Sequence, residues 1–319
     1  MTSRLAWFAT STGRKFSLGF MSATAITAFG LQYCPHTYLL YKYKEIVAMY
    51  QSGKMVPVPE RIMKVWNEAI TDLSLPDYQT KYLEPFMVFG FDLFHAGTVR
   101  SKYGAIVGIP INFTYESVST LDPTPILVNN EPVNWNRQDA RDLLETLVLS
   151  EDAKRYAIAR EMLMLRKNTP LINSGITAFV VSTNYLLSQK VNENFKLFDR
   201  PLFVRGFCYF LCCFFSFGIW AAQIDILNVQ REKDADEYLA QLDERYTKGA
   251  IEFYTKTMSR NIALRSLLGT EGPSTFTRSG NENFLFRQPR MSLQERKSFF
   301  ENKLVEIKQK KEVLTNNNT

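Results

Sequence analysis

Charged residues vanish from three stretches of this chain, Phe16–Tyr41, Asn168–Gln189 and Gly206–Ile224. Each is about as long as a helix that crosses a bilayer. The last two flank a short linker carrying Lys190, Lys196, Arg200 and Arg205, so together they predict a helical hairpin in the membrane. Between the first and second stretches the pattern is that of a folded polar domain. Val65, Trp66, Ala69, Ile70 and Leu73 recur on one helical face. The runs Phe86–Phe91 and Gly104–Phe113, rich in β-branched and aromatic residues and punctuated by Gly or Pro, predict strands, as do Ile126–Val128 before an Asn129-Asn130 turn and Val133–Trp135.

Ser150 followed by Glu151 and Asp152 marks a helix start leading through Tyr156–Leu165 into the hairpin. Asp225 to Leu268 holds no Pro and only Gly249, so it predicts helix as far as Gly269. A Gly/Pro/Ser/Asn-rich loop follows. Ser292-x-x-Glu295 has capping-box spacing and opens a final helix whose stripe, Leu293, Phe300, Leu304 and Ile307, docks on its own domain. The expected order is thus a basic N-terminus (1–15), a transmembrane segment (16–41), a polar α/β domain (42–167), a second segment (168–189), a basic linker (190–205), a third segment (206–227), a helical region completing the domain (228–269), a loop (270–291) and a C-terminal amphipathic helix and tail (292–319). The fold class is α+β, anchored in a membrane.

Composition narrows the classes. The chain has 319 residues and a net charge of +6, but its 38 basic and 32 acidic side chains are interspersed rather than gathered into a nucleic-acid-binding stripe. The first 44 residues hold Arg4, Arg14, Lys15, Lys42 and Lys44 and no acid. That pattern fits a mitochondrial signal fused to an anchor, and also a secretory signal anchor, for which the sequons at Asn112 and Asn317 would matter. Cys34, Cys208, Cys212 and Cys213 lie in or beside the apolar stretches, which suits small hydrophobes better than a disulfide framework.

The layout resembles that of the membrane-embedded zinc proteases, which include the CAAX prenyl protease and the mitochondrial inner-membrane stress protease. In that family a His-Glu-x-x-His helix binds zinc through its two His while the Glu activates water, and a Glu beyond a membrane hairpin completes the site. The resemblance places Glu161 at the general base, Arg160 and Met164 at the two His positions, and Glu232 and Asp236 on the later helix. Neither Arg nor Met supplies the imidazole such a site needs, and Arg has no lone pair to give. A pseudoprotease with no catalytic residue, no metal and no cofactor is expected. Either Arg160 pairs with Glu161 or Glu232 and pins two helices in place of the metal, or it is a solvated helix charge. The two His, His36 and His95, are distant from this helix in sequence and are expected to lie away from it.

The runs Gly104–Pro110, Leu149–Glu161, Gly249–Tyr254 and Asn261–Gly269 are similar to those of the transmembrane protein 177 family, across most of residues 15–290. That resemblance implies a multi-pass protein of the mitochondrial inner membrane acting in early maturation of cytochrome c oxidase subunit II. Its implied partners are the newly made subunit II, that subunit's dedicated chaperone and copper-delivery factors. It carries over no catalytic residue. The alternative is a divergent membrane metallohydrolase with a non-standard metal set. If all three segments span, the positive-inside rule puts the N-terminus and the linker in the matrix and the domain in the intermembrane space. The aromatic run Phe207, Tyr209, Phe210, Phe214, Phe215 and Phe217 faces either a partner helix or lipid.

Overall fold

The computed structural model describes residues 7–316 apart from 125 and 130. Arg4, the turn position Asn130, and the sequon and tail at Asn317–Thr319 lie outside the described residues. The helices are α1 (Ser11–Tyr33), α2 (Leu40–Val47), α3 (Glu60–Asp72), α4 (Gln138–Leu147), α5 (Glu151–Met164), α6 (Thr169–Phe195), α7 (Leu202–Leu242), α8 (Glu244–Leu267) and α9 (Leu293–Asn316), besides shorter helical turns. The strands β1 (Leu83–Val88), β2 (Phe94–Gly97) and β3 (Ala105–Pro110) form one sheet in the order β1-β3-β2.

β3 is the middle strand and is buried at every position. It pairs parallel with β1, from Leu83↔Ala105 to Val88↔Pro110, and antiparallel with β2, from Phe94↔Gly108 to Gly97↔Ala105. Burial on both faces explains why it reads as an unbroken apolar run instead of an alternating one. Gly108 is required there, because a Cβ would lie 2.4 Å from Val88 and 3.0 Å from Phe94. The strand expected at Phe86–Phe91 starts and ends three residues earlier. Gly90, at φ +88°, turns the chain out of the sheet.

Three further expectations are corrected. The first apolar stretch is not one helix: α1 ends at Tyr33, and Cys34-Pro35-His36 forms a 3₁₀ turn. Pro35 lacks an amide hydrogen to continue the ladder. Val133–Trp135 is a turn before α4, in which the Asn134 side chain accepts from the Asn136 amide at 3.1 Å, a local bond that competes with strand pairing. The helix expected from Asp225 to Leu268 is two helices. Asp243 is extended (φ −158°, ψ 148°) and caps α8 by accepting from the Arg245 amide at 2.9 Å.

The core is built around α5. Ala153, Tyr156, Ala157, Ile158, Ala159 and Met162 are fully buried, so the helix is enclosed on every side. Ser150 caps it, accepting from the Ala153 amide at 3.2 Å. α3 covers it with Ile62, Val65, Trp66 and Ala69, β3 with Val107 and Ile109, and the second half of α7 with Ala235 and Leu239. α9 begins with the expected capping box, Ser292 Oγ accepting from the Glu295 amide at 3.1 Å, and seats Phe300 against the rings of Tyr156 and Tyr254 at centroid distances of 5.3 and 6.2 Å.

α6 and α7 run antiparallel. Tyr209 donates to Asn192 (2.8 Å), Ser216 to Asn184 (3.1 Å), the Trp220 indole to Thr177 (3.0 Å) and Arg231 to Asn173 (3.0 Å). The Thr177 hydroxyl also donates to Gln32 of α1 at 2.7 Å, so three helices meet at one level. The first half of α7 leaves most of its apolar surface uncovered, whereas its second half is in the core. Among the described residues, α7 is the one helix long and apolar enough to cross a membrane.

At the α5–α8 crossing a Cβ on Gly249 would lie 2.3 Å from the Asp152 carbonyl oxygen. Gly249→Ala is expected to cost about 1–3 kcal/mol, read as a lowered melting temperature in detergent. An unchanged melting temperature would show that the crossing relaxes freely.

Candidate functional site

Four elements converge on one polar cluster. α5 contributes Arg160 and Glu161, α7 contributes Glu232 and Asp236 one turn apart, α9 contributes Arg296, and the edge strand β2 contributes His95. Arg160 donates to Glu161 Oε1 at 2.9 Å and to Glu232 Oε1 at 3.1 Å. Arg296 grips Asp236 with two parallel bonds of 2.7 and 2.8 Å and lies 3.3 Å from Glu232. This fork-on-carboxylate geometry is the strong, directional form of an ion pair. Tyr156 donates to Asp236 at 2.7 Å and lies 2.6 Å from the Tyr254 hydroxyl, while the Arg296 guanidinium sits 4.9 Å above the Tyr254 ring.

Of the residues singled out from the sequence, Arg160, Glu161, Glu232 and Asp236 come together. Met164 does not join the polar cluster and instead packs against the apolar core. Arg160 pairs with both Glu161 and Glu232, with its side chain 16% exposed, which overturns the reading of a solvated charge. His95 corrects a second expectation. Although 66 residues from Glu161 in sequence, it brings Nδ1 to 2.5 Å from Glu161 Oε2. A carboxylate only accepts, so Nδ1 carries the hydrogen. Pairing of β2 with β3 sets this position, since His95 lies opposite Val107 on a strand too short to announce itself. Arg296 was also missed. Its one sequence signal is its place one turn before Phe300 on the buried stripe of α9.

Two guanidiniums therefore face three carboxylates in a largely buried space. Burial pushes the Glu161 carboxyl up, but Arg160, His95 and Arg296 outweigh it and hold the group down at about 2. Burial likewise disfavours the charged form of Arg296, yet Tyr254, Asp236 and Tyr156 beside it hold its pKa well above the ordinary value. The same burial, with Asp236 adjacent, keeps Tyr156 neutral and able to donate.

A zinc ion does not fit this donor set. The i and i+4 ligand positions are Arg160 and Met164, and the carboxylates that would ligate already hold fixed cations. Among the described residues no group of three His, Cys, Asp or Glu is placed to hold a metal.

One side of the cluster opens on a cleft of about 350 Å³. α8 walls it with Thr257, Arg260 and Asn261, and the loop before α9 forms its lip. Bonds to α7 and α8 fasten that loop. Asn261 donates to the Gly280 carbonyl (2.8 Å), Arg287 forks Asp225 of α7 (2.6 and 3.1 Å), and the Met291 amide donates to Glu232 (2.8 Å). Between these anchors Leu285 is 87% and Phe286 97% exposed.

The fold and the cluster define an α+β protein whose long, partly apolar helix joins a membrane-capable segment to a polar domain. The family model for "Transmembrane protein 177" matches residues 88–288, and the chain belongs to that family. It is similar to transmembrane protein 177 of Homo sapiens (27% identity, covering 86% of this chain and 88% of that protein). It is also similar to the proteins of that name from Rattus norvegicus (27%, 81% and 82%) and Xenopus laevis (24%, 88% and 91%). No solved structure matches the chain, so the likeness to zinc proteases stands on the short motifs alone.

Arg160→Ala removes the guanidinium bonded to both Glu161 and Glu232 and is expected to destabilise the protein by about 3 kcal/mol, measured by thermal melting in detergent. A variant as stable as the parent would remove Arg160 as a pin. Because the Glu161 carboxyl falls from an ordinary 4.5 to about 2 on folding, the unfolded chain binds more protons between those values. Its contribution is fully present above about pH 4.5 and is lost as pH falls toward 2. Glu161→Gln is expected to flatten the melting temperature's dependence on pH in that window, and an unaltered dependence would contradict the assignment.

Proposed function

We propose that this protein is a non-catalytic assembly or stabilising factor of the mitochondrial inner membrane, acting in early maturation of cytochrome c oxidase subunit II. On this reading it holds the new subunit together with that subunit's chaperone and copper-delivery factors. The observation that carries the non-catalytic half is the pair Arg160 and Arg296: fixed guanidiniums neutralise the carboxylates from which hydrolysis would need a metal or a base. Membership of the transmembrane protein 177 family and the resemblance of its runs support the choice of client. The degenerate site, Arg160, Glu161, Met164, Glu232 and Asp236, is on this reading a structural remnant beneath a cleft that binds without cutting.

In this proposal α6 and the first half of α7 form a hairpin through the bilayer, and α1 is a third span. α1 and α6 are less apolar than α7 because they carry Gln32, Asn173, Thr177, Asn184 and Asn192. Those side chains bond to one another or to α7, as polar groups within a membrane bundle do. The basic linker faces the matrix and the domain faces the intermembrane space, by the positive-inside rule. Leu285 and Phe286, at the lip of the cleft, are then close to the membrane and offer an apolar contact to a client emerging from it.

Mitochondrial translation products are pulse-labelled and the tagged protein recovered in mild detergent. Labelled subunit II is expected in excess over other translated subunits, declining during the chase. The double substitution Leu285→Asp, Phe286→Asp is expected to lower that recovery several-fold without changing the melting temperature. No enrichment of subunit II, with the bait intact in the inner membrane, would refute the client.

A further inference from the structure

A second cavity, of about 450 Å³, lies far from the cleft, at the end of the α1–α6–α7 bundle where the linker joins α6 to α7. Phe16 and Phe20 of α1, Tyr185 of α6, Phe198 of the linker and Tyr209 of α7 make its lining predominantly apolar. Arg205 also lines it, with 92% of its surface buried and its guanidinium 5.3 Å from the centre of the Phe198 ring. No carboxylate among the described residues forms an ion pair with Arg205, although Glu193 and Asp199 lie in the neighbouring turns. The polar side chains that share the chamber, Asn184, Ser188, Gln189 and Asn192, are all neutral, so this buried guanidinium is an incomplete arrangement, since burying a charge is costly without an opposite charge to pair it.

We infer that this cavity binds an anionic phospholipid, its phosphate held by Arg205 and an acyl chain laid along the aromatic lining. The guanidinium fork suits phosphate oxygens, and an apolar chamber beside a cation at the end of a membrane bundle suits a molecule that is anionic at one end and hydrocarbon at the other. The rest of this end of the bundle is consistent with that charge. Arg14 and Lys15 begin α1, Lys190 lies near the end of α6, and Lys196 and Arg200 lie in the linker. The bound lipid would close the gap between the three helices with its own chain and supply the counter-charge that the protein lacks. This site depends on the bundle lying in a bilayer and is independent of which client the cleft holds.

The full-length protein, purified in a neutral detergent, is titrated with palmitoyl-oleoyl phosphatidylglycerol and with the matching phosphatidylcholine, and retained lipid is read by native mass spectrometry. One phosphatidylglycerol is expected to be retained at a concentration at least tenfold lower than phosphatidylcholine. Arg205→Gln is expected to abolish that preference, and Arg200→Gln, an exposed cation of the same linker, to leave it intact. Ser188→Trp keeps Arg205 but fills the chamber, and is expected to lose both lipids. Equal retention of the two lipids by the parent would overturn the proposal, as would a preference that survives Arg205→Gln or falls equally with Arg200→Gln. Displacement of the lipid by excess glycerol 3-phosphate would reveal a headgroup-only anion site and overturn the acyl half. Release of the protein from membranes by alkaline carbonate would count against the membrane reading instead.

Discussion

The structure depends on two arginines, from helices far apart in the chain, being held among carboxylates inside the domain. Arg160 joins α5 to α7, Arg296 joins α9 to α7, and Glu232 is shared between them. Leaving any one of these charges unpaired costs more than the pair itself contributes, because the desolvation has already been incurred. The cluster therefore acts less as a source of net stability than as a specification of geometry. It fixes which turn of α7 meets α5 and where the C-terminal helix closes over both.

Seen this way, α9 is part of the domain and not an appendage. Phe300 supplies apolar contact with Tyr156 and Tyr254, while Arg296, one turn earlier, supplies the charge that Asp236 requires. The two tyrosines bridge these roles, with rings in the core and hydroxyls in the polar cluster. The same closure brings the loop before α9 against α7, where Arg287 forks Asp225 and lies 5.7 Å from the Trp220 ring. One terminal segment thus seals the cluster, shapes the cleft and meets α7 where its apolar half ends.

How much of this was legible in the sequence depended on the range of the interaction. Local devices were readable: the Ser150 cap, the Ser292 capping box, the apolar face of α3 and the Gly269 stop each rest on residues within one or two turns. The Arg160 pairing was legible as a possibility because motif spacing set Glu161 and Glu232 beside it. His95 was not, since its approach to Glu161 is set by the register of β2 on β3 and nothing within β2 encodes the partner strand. Arg296 was hidden for a different reason. An arginine on an amphipathic helix reads as solvent-facing until the carboxylates opposite it are known. The break at Asp243 was missed because Leu239–Leu242 before it and Glu244 and Arg245 after it are good helix formers, and a single cap overrides them.

The continuity of α7 has a mechanical consequence. Its 41 residues run without interruption from the linker to Leu242, a rod about 60 Å long whose first half faces outward and whose second half carries Glu232 and Asp236. Asp236 lies 11 residues past Asp225, about 16 Å along the axis. A rod without a hinge converts rotation at one end into displacement at the other, so tilting α7 by about 10° about Asp225 shifts Asp236 by about 3 Å, more than the length of the bonds it makes to Arg296. The helix is in this sense a lever, whose outward-facing half cannot tilt about Asp225 without displacing the carboxylates of the arginine cluster.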